Sequence, residues 1–331
     1  MMLQATPLSL LLDPWIPVRC ASGQRRWISP VELTAELESD PVVAIDWPRP
    51  DLVVATLEFL VALLTTAYRP PDVRAWRRGW KEAPPPQALR DAFEPMASAF
   101  WLDASGPRFL QDLQAFEGEV LPIERLLIDT PGQNTVAFNK DLLVKRNRLA
   151  QVCRPAAVAM LYALQAFAPA GGAGHRTSLR GGGPLTTVVL PGAGPRGAPL
   201  TLWHCVWANV VPGPSASVNA LPLVFPWLAA TRQSAGKAGG TLFDETQAHV
   251  LQALWGMPRR IRLEFRAAAE GEACGLTGQA DALMVVGFRT LPYGVQYLNA
   301  ARFHPLSPTY VPKPGEAPLA VHPQPEGIGY R

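Results

Sequence analysis

The chain has 331 residues, 48% hydrophobic and 17% charged, with 27 glycines and 35 prolines. That composition excludes wholesale disorder and a long-helix bundle, and it fits short elements joined by stiff loops. The net charge is only +3, from 25 Arg and five Lys against 27 acids, so no global field demands a polyanionic partner.

From the N-terminus, residues 8–18 read as a strand interrupted by Pro14 and Pro17, suited to a sheet edge, with residues 25–28 as a hairpin return. Ser29-Pro30 opens a helical turn. Asp51 is placed to cap a long apolar helix that stops before Pro70-Pro71. Glu58 and several threonines within it favour a buried helix over a membrane span. Further helices are predicted over 72–80, 87–99, 156–167 and 244–255, with a short element at 123–127. The helix at 156–167 empties into a glycine-rich segment, 169–184. Strands are expected at 185–190, 200–211, 261–265, 283–288 and 295–298, and the tail from Pro305 is proline-rich. The expectation is an α+β fold: one large mixed globular domain over 1–331, with short strands, several helices and many Pro/Gly loops. No secretory leader or membrane span is recognised, so the expected compartment is cytoplasmic.

Three segments carry the possible chemistry. Gly171, Gly172, Gly174 and Gly181–Gly183, with His175, Arg176 and Arg180 among them, suit backbone approach to a nucleic-acid groove; a mobile surface loop is the plainer reading. The segment is no P-loop, because no Gly-Lys-Ser/Thr follows and the order is helix–loop–strand. Phe138, Asn139 and Lys140, then Lys145, Arg146 and Arg148, form a basic run that fits phosphates or a solvated face. In Arg74-Ala75-Trp76-Arg77-Arg78-Gly79-Trp80-Lys81, cations and aromatics interleave as in single-strand binders. At helical spacing, however, the tryptophans read as core anchors with the arginines outside.

Enzyme signals are poor. The four cysteines (20, 153, 205 and 274) lie far apart and make no Cys-x-x-Cys pair, which rejects a structural zinc site, and paired disulfides are not indicated either. The five histidines form no H-x-x-x-H pattern, and His204-Cys205 reads as part of a buried strand. No catalytic residue, metal or cofactor is implied. A metal-dependent hydrolase built on His204, His249 and Asp244 is retained only as a rival.

Residues 11–18 (LLDPWIPV), 178–187 (SLRGGGPLTT) and 304–308 (HPLSP) occur in an order and spacing that resemble the CasA family, the large subunit of the type I-E CRISPR Cascade complex. The resemblance implies a non-catalytic subunit whose N-terminal domain checks the protospacer-adjacent motif on target double-stranded DNA. Sequence specificity then lies in guide pairing. The implied partners are the 5′ handle of the guide RNA, other backbone and handle-binding subunits, and a helicase–nuclease or a nuclease domain on another subunit. By position, Ala170, Gly171, Gly172, Ala173, Gly174, His175 and Arg176 form the DNA-facing glycine loop. Phe138, Asn139 and Lys140 form the guide-handle loop, and Lys145, Arg146, Arg148, Arg180 and Arg289 the phosphate contacts. A purely structural, handle-binding subunit is the nearer alternative.

The chain departs from the family in three ways. Some members hold zinc through two Cys-x-x-Cys pairs; here Cys153 matches one ligand, Ala156 replaces the next, and the second pair is missing. Ala170 and Ala173 occupy glycine positions. The glutamine-bearing wedge hairpin and C-terminal four-helix bundle of the family fall beyond Arg331, so either a fragment or a naturally reduced subunit is expected.

Overall fold

The computed structural model describes residues 5–142, 146–235, 240–241, 246–298 and 300–322. Polar side chains near Pro14 decide where the first strand begins. Asp13 Oδ2 accepts from the Ser9 amide at 2.8 Å and Ser9 Oγ from the Leu12 amide at 3.3 Å, closing a turn where the strand was expected to start. The strand β1 therefore spans only Ile16–Cys20. It pairs antiparallel with β2 (Arg25–Ile28), as the predicted hairpin, and with β3 (Val42–Ile45) on its other side.

Helix α1 (Pro50–Ala67) starts with proline in its first turn, but its N-cap is Arg49 and not Asp51. Asp51 lies in the first turn and pairs with Arg49 at 2.9 Å, a placement the helix dipole favours. By length and hydropathy α1 could cross a membrane, yet 67% of it is buried, and it packs against a second core helix. Asp72 caps α2 (Val73–Lys81) by accepting from the Ala75 amide. The next helix, α3 (Pro86–Phe93), ends earlier than expected and tightens into a 3-10 turn over Glu94–Ala99. Pro95 has no N–H to continue the α-helical ladder.

Downstream lie β4 (Leu121–Pro122), the short α4 (Gln133–Ala137), β5 (Val152–Cys153) and α5 (Arg154–Phe167), the helix packed on α1. The predicted strand 200–211 is instead α6 (Leu202–Trp207). Its buried positions, Leu202, Trp203, Val206, Trp207 and then Val210, recur at helical spacing, and the Thr201 hydroxyl caps it through His204 Nδ1 at 2.9 Å. A short α7 (Leu221–Val224) follows. Of the helix expected over 244–255, residues 244–245 lie outside the described residues; the rest holds a 3-10 turn, Val250–Leu254.

The long hairpin of β6 (Arg260–Ala267) and β7 (Leu283–Leu291) extends both predicted strands. β4 and β5 share the other edge of β7, at Gly287–Phe288 and Met284–Val285. Residues 185–190 form no ladder. Instead Leu185 N donates to Val321 O, Thr187 to Leu306 O, and Val189 exchanges two bonds with the Asn209 side chain, while Val189 and Leu190 stay exposed. Near 295–298, among the described residues, only Tyr297 bridges, to Thr241. A small pair, β8 (Thr309–Tyr310) and β9 (Leu319–Ala320), ends the described chain. The α+β class stands.

The core is centred on Phe59 of α1, whose ring meets Trp15, Phe100, Phe109, Tyr162 and Trp255 edge-on at 5.1 to 6.2 Å. Its neighbour Glu58 is almost fully buried and holds Arg180 at 2.9 Å. Arg180 also donates to Thr186 Oγ1 and Ser307 Oγ. Two distant segments, around Trp15 and 178–187, thus converge on two adjacent residues of α1, and a third, 304–308, joins them through Arg180.

Candidate nucleic-acid interface

The glycine-rich segment leaves the end of α5 and is clamped at its base. Ser178 N donates to Ala168 O, and Gly183 N to Phe167 O, each at 3.1 Å. Between these clamps His175 N bonds Gly172 O, and Gly172 and Gly174 adopt φ +90° and +78°. Arg259 staples the loop from below: its Nε donates to Arg176 O at 2.6 Å and its Nη2 to Pro169 O. A side chain at Gly171 would collide with that guanidinium. On the far flank Gly174 O accepts from Tyr293 N at 2.7 Å, and a Cβ at Gly174 would lie 2.6 Å from Pro292 Cβ. The loop is therefore a fixed wall, with Ala170, Gly171, Gly172 and Ala173 exposed.

That wall bounds a cleft of about 690 Å³. The opposite wall is the stretch from Leu121 to Asn134, with Arg125, Thr130 and Pro131 facing the space; Arg259, Ile261, Phe288 and Thr290 complete the lining. Two guanidinium groups and His175 line it against one carboxylate, the exposed Glu119. Burial lowers the Arg259 pKa to about 10, so it stays charged at neutral pH. Burial, then the charges of Arg259 and Arg125, hold His175 below the ordinary histidine range, leaving a neutral imidazole that donates and accepts. Such a cleft offers exposed backbone, two fixed cations and one neutral ring to an anionic, groove-shaped partner.

The predicted contact residues divide sharply. Arg180 is corrected: it is 3% exposed, paired with Glu58, and too deep to meet a phosphate. Arg176 is committed inward, with Nε on Ser234 Oγ at 2.8 Å, Nη2 on Ser234 O at 2.6 Å, and its guanidinium over the Tyr293 ring. Arg289 pairs with Glu264 at 2.6 Å, and Arg146 with Asp141 at 2.5 Å. Arg148 reaches Asp129, which Arg49 also holds. Lys145 lies outside the described residues. In the handle loop Phe138 is 69% exposed with Lys140 Nζ 5.3 Å from its ring centroid, and Asn139 sits at φ +51°. The rival hydrolase loses its histidines: Nδ1 of His204 and of His249 each serves a helix N-terminus, and Asp244 is outside the described residues.

Sequence reading missed Arg125 and Arg259, solitary arginines whose convergence depends on the β6–β7 hairpin lying beside β4. It also missed the site opposite Cys153. Cys274 lies against it in a shared hydrogen bond, and Thr277 Oγ1 is 3.8 Å from the Cys153 sulfur. Cys274-Gly275-Leu276-Thr277 thus faces Cys153-Arg154-Pro155-Ala156, each with one sulfur where a Cys-x-x-Cys pair has two. Two thiols and a hydroxyl do not make the closed tetrahedral set of structural zinc, so the residues present do not fit that metal. The hydrogen bond to Cys274, together with burial, pushes the Cys153 thiol up and keeps it protonated.

Comparison with known proteins agrees with this architecture. Cse1 from Acidimicrobium ferrooxidans is similar over 97% of this chain and 59% of its own, at 18% identity and a TM-score of 0.64. CasA from Thermus thermophilus is similar over 98% of this chain and 59% of its own, at 20% identity and 0.63. A chain of a CRISPR RNA-guided surveillance complex is similar over 98% and 64%, at 16% identity and 0.56. The chain therefore spans about three fifths of the length of these relatives. The sequence profile described as CRISPR-associated protein Cse1 matches residues 9–331, and the chain belongs to that family.

Proposed function

We propose that this chain is the non-catalytic large subunit of a cytoplasmic type I-E Cascade surveillance complex, recognising the protospacer-adjacent motif on target double-stranded DNA and supporting R-loop formation. The observation that carries the reading is the glycine loop held rigidly as one wall of a cation-lined cleft, in a chain of the Cse1 family. Exposed main chain at 170–173 approaches the minor groove, whose degenerate code suits tolerant motif reading. Arg125 and Arg259 supply the charge that Arg176 and Arg180, turned inward, do not. The loop of Phe138, Asn139 and Lys140 faces the 5′ handle of the guide RNA or the subunit that holds it. Cleavage belongs to a helicase–nuclease or to a nuclease domain on another subunit.

The test is Ala173→Glu in the reconstituted guide-loaded complex. This exposed side chain places a negative charge in the cleft without demanding a new backbone conformation. Affinity for targets with the correct flank is expected to fall by about tenfold or more, roughly 1.4 kcal/mol, toward that for flank-less targets. Assembly on guide RNA is expected to be unchanged. Equal losses for both kinds of target, or no loss, refute the reading role.

A further inference from the structure

Helix α2 carries four cations, Arg74, Arg77, Arg78 and Lys81, and no acid. Their spacing of i, i+3, i+4 and i+7 sets all four on one helical face. All are exposed, and none makes an ion pair or a side-chain hydrogen bond among the described residues. Asp72 and Glu82 flank the helix, but Asp72 is occupied in capping. The four charges exceed the +3 of the whole chain, so an almost neutral protein concentrates its excess charge on this ridge.

The opposite face of α2 fixes the ridge in place. Trp76 Nε1 donates to Trp207 O at 3.1 Å, Trp207 Nε1 returns to Trp76 O at 2.9 Å, and Trp203 Nε1 donates to Gly79 O at 3.0 Å. A Cβ on Gly79 would lie 2.5 Å from the Trp207 ring, so only glycine lets α2 lie this flat on α6. Trp76 and Trp80 stack on each other at 5.8 Å, and Trp80 meets His204 edge-on. The tryptophans are consumed by the fold and present no stacking platform for unpaired bases, which removes the single-strand reading. What remains, on a helix fixed in place, is a row of mostly guanidinium donors, the group best matched to phosphate.

We propose that the exposed face of α2 is a sequence-independent docking surface for the phosphate backbone of duplex DNA, separate from the glycine-loop cleft. From residue 74 to 81 the ridge runs about 10.5 Å along the helix axis. A strand of duplex DNA presents one phosphate per roughly 3.4 Å of its axis, so the ridge matches about three phosphates. The helix fixes where the four side chains start, although each still gives up rotamer freedom on binding, and the ridge adds affinity and association rate without reading bases.

The experiment uses the full chain and a 20-base-pair duplex of random sequence, with fluorescence anisotropy between about 50 and 200 mM salt. The variant is Arg74→Gln/Arg77→Gln/Arg78→Gln, with thermal unfolding to check that the fold is intact. Three lost contacts are expected to reduce the salt slope by about 2.7, so wild-type affinity falls roughly 40-fold more than the variant's across that range. An unchanged slope overturns the proposal. So does a loss confined to single-stranded RNA or duplex RNA with DNA binding intact. Ala173→Glu is run in parallel in the guide-loaded complex on flanked and flank-less targets: no flank-dependent loss there with a reduced slope on α2 defeats the flank-reading role and leaves the ridge standing, and the reverse pattern does the opposite.

Discussion

Replacing Arg180 separates a structural role from a DNA-contacting one. Its guanidinium and the Glu58 carboxylate are 2% and 1% exposed, and the two also share Thr186. Arg180→Met leaves Glu58 buried with the Thr186 hydroxyl, at 2.7 Å, in place of a cation. Removing one partner of such a buried pair costs about 3–5 kcal/mol, because the remaining charge keeps its desolvation penalty. With an unfolding entropy of about 2.1 cal/mol/K per residue, a cooperative chain of this length loses roughly 4–7 °C in Tm. Calorimetry on the purified chain measures it, and Glu58→Met/Arg180→Met is expected to recover most of the loss because neither charge then needs a partner. An unchanged Tm for Arg180→Met, joined to a weaker and less salt-sensitive DNA affinity, would refute the argument and return Arg180 to the phosphate contacts.

Two further outcomes follow from buried groups. His304 is buried beside Arg180, and desolvation, then that positive charge, holds its pKa well below the ordinary value. The unfolded chain therefore takes up a proton that the folded chain refuses. The stability present above about pH 6.5 is lost as pH falls below it, by up to about 1.4 kcal/mol per unit. The difference in urea stability between wild type and His304→Gln, from pH 7.5 to 5.5, isolates that slope; parallel curves contradict it. At the degenerate cysteine site, zinc added to the wild-type chain is expected to leave Tm unchanged, whereas Ala156→Cys/Thr277→Cys takes up one zinc per chain and gains Tm. Stoichiometric zinc in the wild type, or none in the double variant, counts against the assignment.

The sequence discloses much of the scaffold because helix and hairpin signals are local. The runs that became α1, α2 and α5 and the alternation of β6 and β7 were legible. Residues 200–211 misled because tryptophan and valine suit strands, while the helical recurrence of the buried positions was the stronger signal. Residues 185–190 look like a strand, but a strand needs a partner, and the ladder they lack is a property of the fold. The site was only half legible for the same reason. Glycines announce a loop, yet whether Arg176 points out or folds back onto Ser234 depends on a residue 58 positions away. The pairing of Cys153 with Cys274 spans a gulf about twice as wide in sequence, closed only when β5 docks on β7. The motifs most useful for recognising the family, around Trp15, 178–187 and 304–308, prove to be partners of Phe59, Glu58 and the arginine that Glu58 holds. They report the scaffold and not the interface.

The two clamps at the foot of the glycine loop bear on how such a protein changes over time. Because Ala168 and Phe167 hold Ser178 and Gly183 directly, the α5 scaffold senses the loop mainly through its anchors, Arg259, Ser234 and Tyr293. At the tip the exposed Ala173 is free to change at small thermodynamic cost, whereas Gly171, Gly172 and Gly174 are held by Arg259, by a positive φ and by Pro292. Variation is therefore confined to the tip, between anchors that keep the wall in place. A fold built this way changes what its tip presents without rebuilding its core.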